Sequence, residues 1–152
     1  MTHTTNRVRA FHEAFGHPVA PAPTPATKAL RELRVKLIAE ELTELCEALG
    51  VHLTIFQRNG KYVADVLAVA EDHEVDLVET ADALGDIDYV TAGANLAFGL
   101  PAEAVAEEIH RANMSKLGAD GKPIYREDGK VLKGPNYKAP DVASIVLPLL
   151  LP

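Results

Sequence analysis

The chain has 152 residues, 47% apolar and 24% charged, enough for one domain with a core of its own and no disulfide or metal staple. With 15 basic against 22 acidic residues the net charge is −7; this argues against a nucleic-acid polymer as partner and admits a polyanionic small molecule only with a divalent cation between acid and phosphate. A single cysteine, Cys46, excludes an intrachain disulfide and a cysteine-based zinc cluster, and no apolar run reaches the roughly 18 residues needed to span a membrane.

The opening Met1-Thr2-His3-Thr4 carries no apolar signal-peptide core, so the expectation is a cytoplasmic protein with no membrane contact. One domain is expected over 1–152, with an N-terminal arm at 1–27 and a basic loop and tail at 118–152. Val8 to Phe15 reads as a short helix, stopped at Gly16-His17-Pro18 because proline disfavours helical geometry in the residue before it. Pro18, Pro21, Pro23 and Pro25 then make a stiff, extended arm. Thr27 suits the N-cap of a long helix over 28–49, rich in good helix formers and closed by Gly50. From Val51 the pattern changes. Val51, Leu53, Ile55, Val63, Val66 and Val69 flank Asn59-Gly60, a strong hairpin signal, so 51–69 reads as a β-hairpin inserted between helices. A second long helix is expected from Asp72 to Phe98, broken by Gly99-Leu100-Pro101. Pro101 suits the first turn of a third helix, ending near Lys116-Leu117-Gly118. Residues 118–143 are rich in turn residues and lysine.

Glu40, Glu41, Glu44 and Glu47 share one face of the first long helix. At about 100° per residue, with Glu40 at zero, the other three fall within about 100° of it. Leu30, Leu33 and Leu37 lie on the same side, while Ile38, Leu42, Leu45 and Leu49 cover the other. A helix apolar on both sides is buried on both sides, and carboxylates placed there need a proton, a partner or a metal. The second long helix repeats the arrangement: Glu79, Asp82 and Asp86 share a face with Val75, Val90 and Gly93, while Asp76 and Asp88 point away to solvent. No lysine or arginine is interspersed on either acid face. Like charges so placed repel unless a cation joins them, and oxygen-only ligands suit Mg²⁺ or Mn²⁺.

His110, Asn113 and Lys116 follow at three-residue steps on the third helix. Lys122, Lys130 and Lys133 in the loop beyond can offer ammonium groups to phosphate, and Gly129 and Gly134 allow backbone amides to come close. Tyr89, Phe15, Tyr125 and Tyr137 are candidates to stack on a base.

Glu40-Glu41-Leu42-Thr43-Glu44 followed by Glu79-Thr80-Ala81-Asp82 resembles the EExxE…ExxD signature of the MazG-like all-α nucleoside triphosphate pyrophosphohydrolases. Asp82-Ala83-Leu84-Gly85-Asp86, Tyr89-Val90-Thr91, His110 to Lys116, Asp128 to Pro135 and Phe11 to Gly16 resemble the small bacterial and phage branch with its dUTPase-like members. The likeness runs from about residue 8 to 141. It implies an all-α MazG-like helical bundle, here with the small β-hairpin insertion at 51–69, working as a homodimer or a dimer of dimers. It also implies hydrolysis of a nucleoside triphosphate between the α- and β-phosphates. Carried over by position, Glu41, Glu44, Glu79, Asp82 and Asp86 are the metal ligands for Mg²⁺, with Mn²⁺ a substitute. Glu40 is a further ligand or orients the attacking water, so Glu40 and Glu41 are the catalytic pair. Aligning Tyr89-Val90-Thr91 favours Asp82 and Asp86 over Glu79. Tyr89, Asn113, Lys116, Lys130 and Lys133 are the candidate substrate contacts.

The resemblance points to a housecleaning hydrolase for dUTP or another non-canonical nucleotide. A phosphoribosyl-ATP pyrophosphatase of related fold is the alternative, and a non-catalytic helical dimerisation or regulatory module is the reading from another class.

Overall fold

The computed structural model describes residues 3–150; the outermost ends of the expected arm and tail, residues 1–2 and 151–152, lie outside the described residues. The first helix, α1, spans His3–Phe15 and so begins five residues before the expected Val8. It stops where Gly16 takes a φ of 69°, a conformation glycine adopts at little cost. The proline-rich arm then runs along the end of a later helix. Ala20 N–H donates to the Leu96 carbonyl at 2.9 Å and Thr24 N–H to that of Phe98 at 3.0 Å. Gly99, with φ 65°, is required here because a Cβ would run into the Ala22 carbonyl.

Helix α2 covers Lys28–Ala48. Thr27 caps it, its hydroxyl accepting from Leu30 N–H at 3.2 Å. Strands β1 (Val51–Arg58) and β2 (Lys61–Val69) pair antiparallel from Arg58↔Lys61 to Val51↔Val69, with a bulge between His52 and Leu53. Asn59 and Gly60 turn the chain with φ of 52° and 73°, the positive values that a tight two-residue hairpin turn demands. Helix α3 is Leu77–Phe98, not 72–98. Asp76, expected to be merely solvated, is its cap and accepts from Val78 N–H at 2.9 Å and Glu79 N–H at 3.1 Å. Such a cap fixes the helix start and satisfies amides that have no partner in the first turn. Helix α4 is Ala102–Met114 with Pro101 at its N-cap. The tail adds a short helix, α5 (Val142–Val146), and a 3₁₀ turn, Leu147–Leu150, neither of which was expected.

The all-α class expected from the sequence is therefore corrected. The fold is mixed, 53% helical and 13% strand, because the segment between α2 and α3 alternates apolar and polar residues with a period of two and carries a hairpin turn. No helix among the described residues is long and apolar enough to cross a membrane.

Helices α2 and α3 form the main packed pair, and α1 lies against α3. Arg34 of α2 sits beside Gly93 of α3, Glu41 feels Asp86 and Asp82, and Asp76 N–H reaches the Ala48 carbonyl at 3.2 Å. One helix therefore runs down as the other runs up. The core is made of small residues: Ala48, Ala83, Ala94, Ala97 and Ala112 are buried along with Leu96, and Val8 of α1 is fully enclosed. Helix α4 packs mainly on α5. Glu108 fastens it to the tail, accepting from Arg111 and from Asp141 N–H at 2.7 Å; these bonds lower its carboxyl to about 2.

The single chain exposes 11021 Å², whereas a compact monomer of this mass, 16.3 kDa, exposes about 7,500 Å². Several large apolar side chains lie on that surface, among them Val35, Leu67, Leu77 and Val78, each more than two-thirds exposed.

Candidate active site

The α2/α3 seam brings together acids from both helices. Glu41 stands half-buried at its centre. Loss of water and the nearby charges of Glu44, Asp86, Glu40 and Asp82 push its carboxyl above the ordinary 4.5. Burial and like charges both disfavour an ionised carboxylate, so the shift records that the two acidic faces meet. Glu40, Glu44, Asp82 and Asp86 themselves are exposed. The double burial expected for the acidic faces thus holds only in part, at Glu41.

Glu79 has a different setting. It lines an open cleft of about 530 Å³ with Glu44, Glu47, Ala48, His73 and Asp76, at the hairpin end of the seam. Glu44 belongs to both neighbourhoods. The expectation that no cation stands on the acid face is corrected at one point: Lys36 Nζ approaches Glu40 at 3.4 Å, one turn away on α2. Both side chains are largely exposed, and an exposed pair of this kind contributes only about 0.3–0.5 kcal/mol. The other acids keep their mutual repulsion.

The donor chemistry fits a hard divalent cation: oxygen only, several carboxylates, and a shared excess of negative charge. Among the described residues no three acidic, histidine or cysteine side chains are gathered closely enough to hold a metal as they stand. Glu44, Asp82 and Asp86 are solvent-exposed and free to change rotamer; Glu41 is the member whose position the seam fixes.

Two turns up the same seam lies a feature the sequence reading passed over. Arg34 is only 5% exposed, and its Nε and Nη2 have no hydrogen-bond partner. Its guanidinium shares the space left by Gly93 with His12, since a Cβ there would stand 3.0 Å from both Arg34 Nη1 and His12 Nε2. His12 is 2% exposed, and its Nδ1–H donates to the Pro18 carbonyl at 2.8 Å. Desolvation, offset in part by that bond and reinforced by Arg34 and His17, lowers its pKa from 6.5. The available signal was positional. Arg34 precedes Glu41 by seven residues, two helical turns, and so shares its face.

Tyr89, one turn beyond Asp86, is half-buried. Its ring meets Phe11 edge-on at 5.8 Å, and Phe11 stacks on Phe15 at 4.3 Å. Phe15 is 69% exposed, so this aromatic cluster is open to solvent at one end.

The basic candidates gather elsewhere. Lys116 Nζ donates to Asn113 Oδ1 at 2.7 Å at the end of α4. The loop folds back on that end, Gly134 N–H reaching the Lys116 carbonyl at 2.9 Å. Lys133 Nζ sits 4.4 Å from the centre of the Tyr137 ring. Lys130 N–H donates to Asp128 Oδ1 at 3.2 Å, and Asp128 also neutralises Arg126. These contacts join Asn113 to Lys116 and Lys133 to Tyr137, and none of them reaches the acids of α2 and α3.

Two antiparallel helices thus oppose carboxylates across one seam, with Glu41 at its centre. Residues 8–113 match the model of the phosphoribosyl-ATP pyrophosphohydrolase family, so the chain belongs to that family, within the MazG-like superfamily. The match supports pyrophosphohydrolase activity on a nucleotide-like substrate. It takes in every acidic candidate and ends at Asn113; Lys116, Lys130 and Lys133 lie beyond it. No curated protein matches the sequence.

Proposed function

We propose that the chain hydrolyses a nucleoside triphosphate, dUTP or another non-canonical nucleotide, to the monophosphate and pyrophosphate. Glu41, Glu44, Asp82 and Asp86 would hold Mg²⁺ or Mn²⁺. When bound, such an ion neutralises triphosphate charge and makes water a better nucleophile. A glutamate of this cluster not fully occupied by metal, Glu41 or Glu40 beside it, would orient that water and take its proton. Tyr89 and the exposed Phe15 offer faces for a base. Asn113, Lys116, Lys130 and Lys133 would hold phosphate charge as it develops.

The contacts that Asn113, Lys116, Lys130 and Lys133 make within one chain are with one another and with Asp128, Gly134 and Tyr137, and the complete site in this reading draws basic groups from a second copy. The surplus surface supports such a homodimer, or a dimer of dimers. Roughly 3,500 Å² beyond the monomer expectation is more than the about 1,000–2,500 Å² that each subunit gives to an obligate interface.

The single observation behind the reading is that carboxylates of both helices meet at the half-buried Glu41, where desolvation first and then Glu44, Asp86, Glu40 and Asp82 raise its carboxyl. The test is a nucleotide panel with pyrophosphate release as readout, run with Mg²⁺ and with a chelator. Metal-dependent release from a nucleoside triphosphate is expected. The family's own description favours a second reading, phosphoribosyl-ATP as substrate, and the same panel separates the two. Failure of calorimetry to detect Mn²⁺ binding, together with no turnover of any member, would overturn both and leave a helical dimerisation module.

A further inference from the structure

Arg34 turns a two-pronged donor edge into the protein interior and meets no acceptor there. A guanidinium stays charged at any working pH, and its Nε–H and Nη2–H form one fork that matches two oxygens of a carboxylate or phosphate. Elsewhere in the chain that fork is used. Arg111 turns Nε and Nη2 to Glu108 at 2.7 Å each, and Arg126 turns the same two nitrogens to Asp128. For Arg34 burial alone acts on the charge, and no carboxylate among the described residues offsets it. Water could satisfy the two N–H groups, but a buried charge also calls for a counter-charge. A small oxyanion answers both needs.

The surroundings suit such a ligand. Gly93 brings no side chain to the junction, and Arg34 Nη1 and His12 Nε2 both stand 3.0 Å from the place its Cβ would take. His12 commits Nδ1–H to the Pro18 carbonyl. Its Nε2 is therefore an acceptor in the neutral ring and a second donor in the charged one. The titratable groups that act on this ring are Arg34 of α2 and His17 of the arm, with no carboxylate among them; α3 presents Gly93 there. Access runs past α1. That helix has 13 residues, a length marginal by itself. It docks chiefly on α3, and its buried residues are Val8 and His12.

We infer that Arg34, with His12 beside it, binds a phosphate-type oxyanion that enters as α1 shifts off α3. Two sources carry this chemistry: free inorganic phosphate, and a phosphate of the nucleotide. Arg34 stands on the face of α2 that carries Glu41, seven residues and so about 10 Å along the helix, which keeps the second source in play. The site is defined without the acids and without a metal. Only the nucleotide as source rests on the hydrolytic reading above.

The test uses the full chain in the presence of a chelator, without nucleotide, and inorganic phosphate as the probe. Calorimetry should show one phosphate bound per chain. Arg34→Met, an exchange that fills the same space, should weaken binding at least about 30-fold. Arg34→Lys, which keeps the charge and loses the fork, should weaken it too. No binding by the wild type overturns the site. Equal binding by wild type and Arg34→Met also overturns it and puts the ion on the loop lysines. A second measurement leaves Arg34 in place. Sulfate, a dianion throughout the range, should bind more tightly as pH falls from 7.5 to about 5, because a bound anion favours the charged His12 ring. His12→Gln should flatten this trend; an equal trend in both proteins refutes the part given to His12. Kinetics then names the source. A KM for nucleotide raised by Arg34→Met assigns the fork to the substrate's phosphate, whereas an unchanged KM with inhibition by phosphate lost assigns it to the free ion. Phosphate binding kept in a protein that hydrolyses no nucleotide refutes the hydrolytic reading and leaves this site standing.

Discussion

Replacing Arg34 by Met should make the protein more stable. Arg34 is 5% exposed and offers Nε–H and Nη2–H to no partner, and burial alone lowers its pKa. A buried donor left unpaired costs about 1–3 kcal/mol, and two are affected. Met fills most of the same length, adapts to irregular space beside Gly93 and brings no charge into the α1/α2/α3 junction. Exchanging buried ionic groups for well-packed apolar ones is commonly neutral or stabilising by about 1–4 kcal/mol. Allowing for lost packing of the guanidinium, the gain should be about 1–3 kcal/mol, or roughly 3–10 °C in Tm for a chain of this size. Thermal melts followed by circular dichroism, at one fixed protein concentration, measure it. A Tm lowered by more than about 4 °C, on the same scaling, would refute the reasoning. It would mean that the guanidinium has an anionic partner in the folded protein, whose loss is costlier than the relief of desolvation.

Asp86→Ala and Glu44→Ala should each cut pyrophosphate release by at least about 100-fold, since even outer-shell partners of a metal cost 10–100-fold, while helical signal persists; wild-type turnover by folded Asp86→Ala would shift the ligand set to Glu79 and Asp82. Glu41→Gln should abolish turnover yet raise Tm at neutral pH. A carboxyl whose folded pKa is raised above 4.5 favours the folded state below that value and loses this contribution as pH rises through the folded pKa, and an amide does not ionise; a lowered Tm at pH 7 would contradict this. His12 acts in the opposite sense. Its folded pKa lies below 6.5, through desolvation first and then Arg34 and His17, so its contribution is present above 6.5 and fades as pH falls. Melts between pH 7.5 and about pH 5 should show this decline, and His12→Gln should flatten it. Lys116→Ala should raise KM for the triphosphate and leave Mn²⁺ affinity unchanged; an equal loss of Mn²⁺ affinity without nucleotide would misplace Lys116.

Local chemistry made most elements legible. Thr27, Gly50, Asn59-Gly60 and Gly99 each have a backbone role that residue type announces, and the boundaries beside them lie close to those observed. The start of α3 was misjudged because Asp72 and Asp76 are equally good caps on paper. The difference lies in the hairpin base: Ala70 N–H pairs with the Gly50 carbonyl at 2.9 Å and His73 packs over Gly50, holding the chain out of helical geometry until Asp76. Helix α5 has too few residues to show a period and is set by tertiary anchors, Glu108 to Asp141 among them. The class name failed for a related reason: a family-level expectation of helices alone gives no weight to an insertion, although the residues of the insertion carried their own signal.

The site divides along the same line. Acids on α2 and α3 were legible because helical spacing puts them on one face, and antiparallel packing of two long helices then brings the faces together with no further information. Arg34 obeys the same geometry, but an isolated arginine among leucines reads as solvent-facing; only the absence of a side chain at Gly93, on another helix, makes room for it inside. The lysines could be recognised as basic and no more. Their distance from the acids depends on how α4 is placed, and within one chain α4 is packed on α5 and anchored by Glu108 and Ser115 to the tail. Nothing in that arrangement tilts it toward α2. Where loop residues meet helix residues far off in the chain is set by tertiary packing, and spacing along one sequence does not record it.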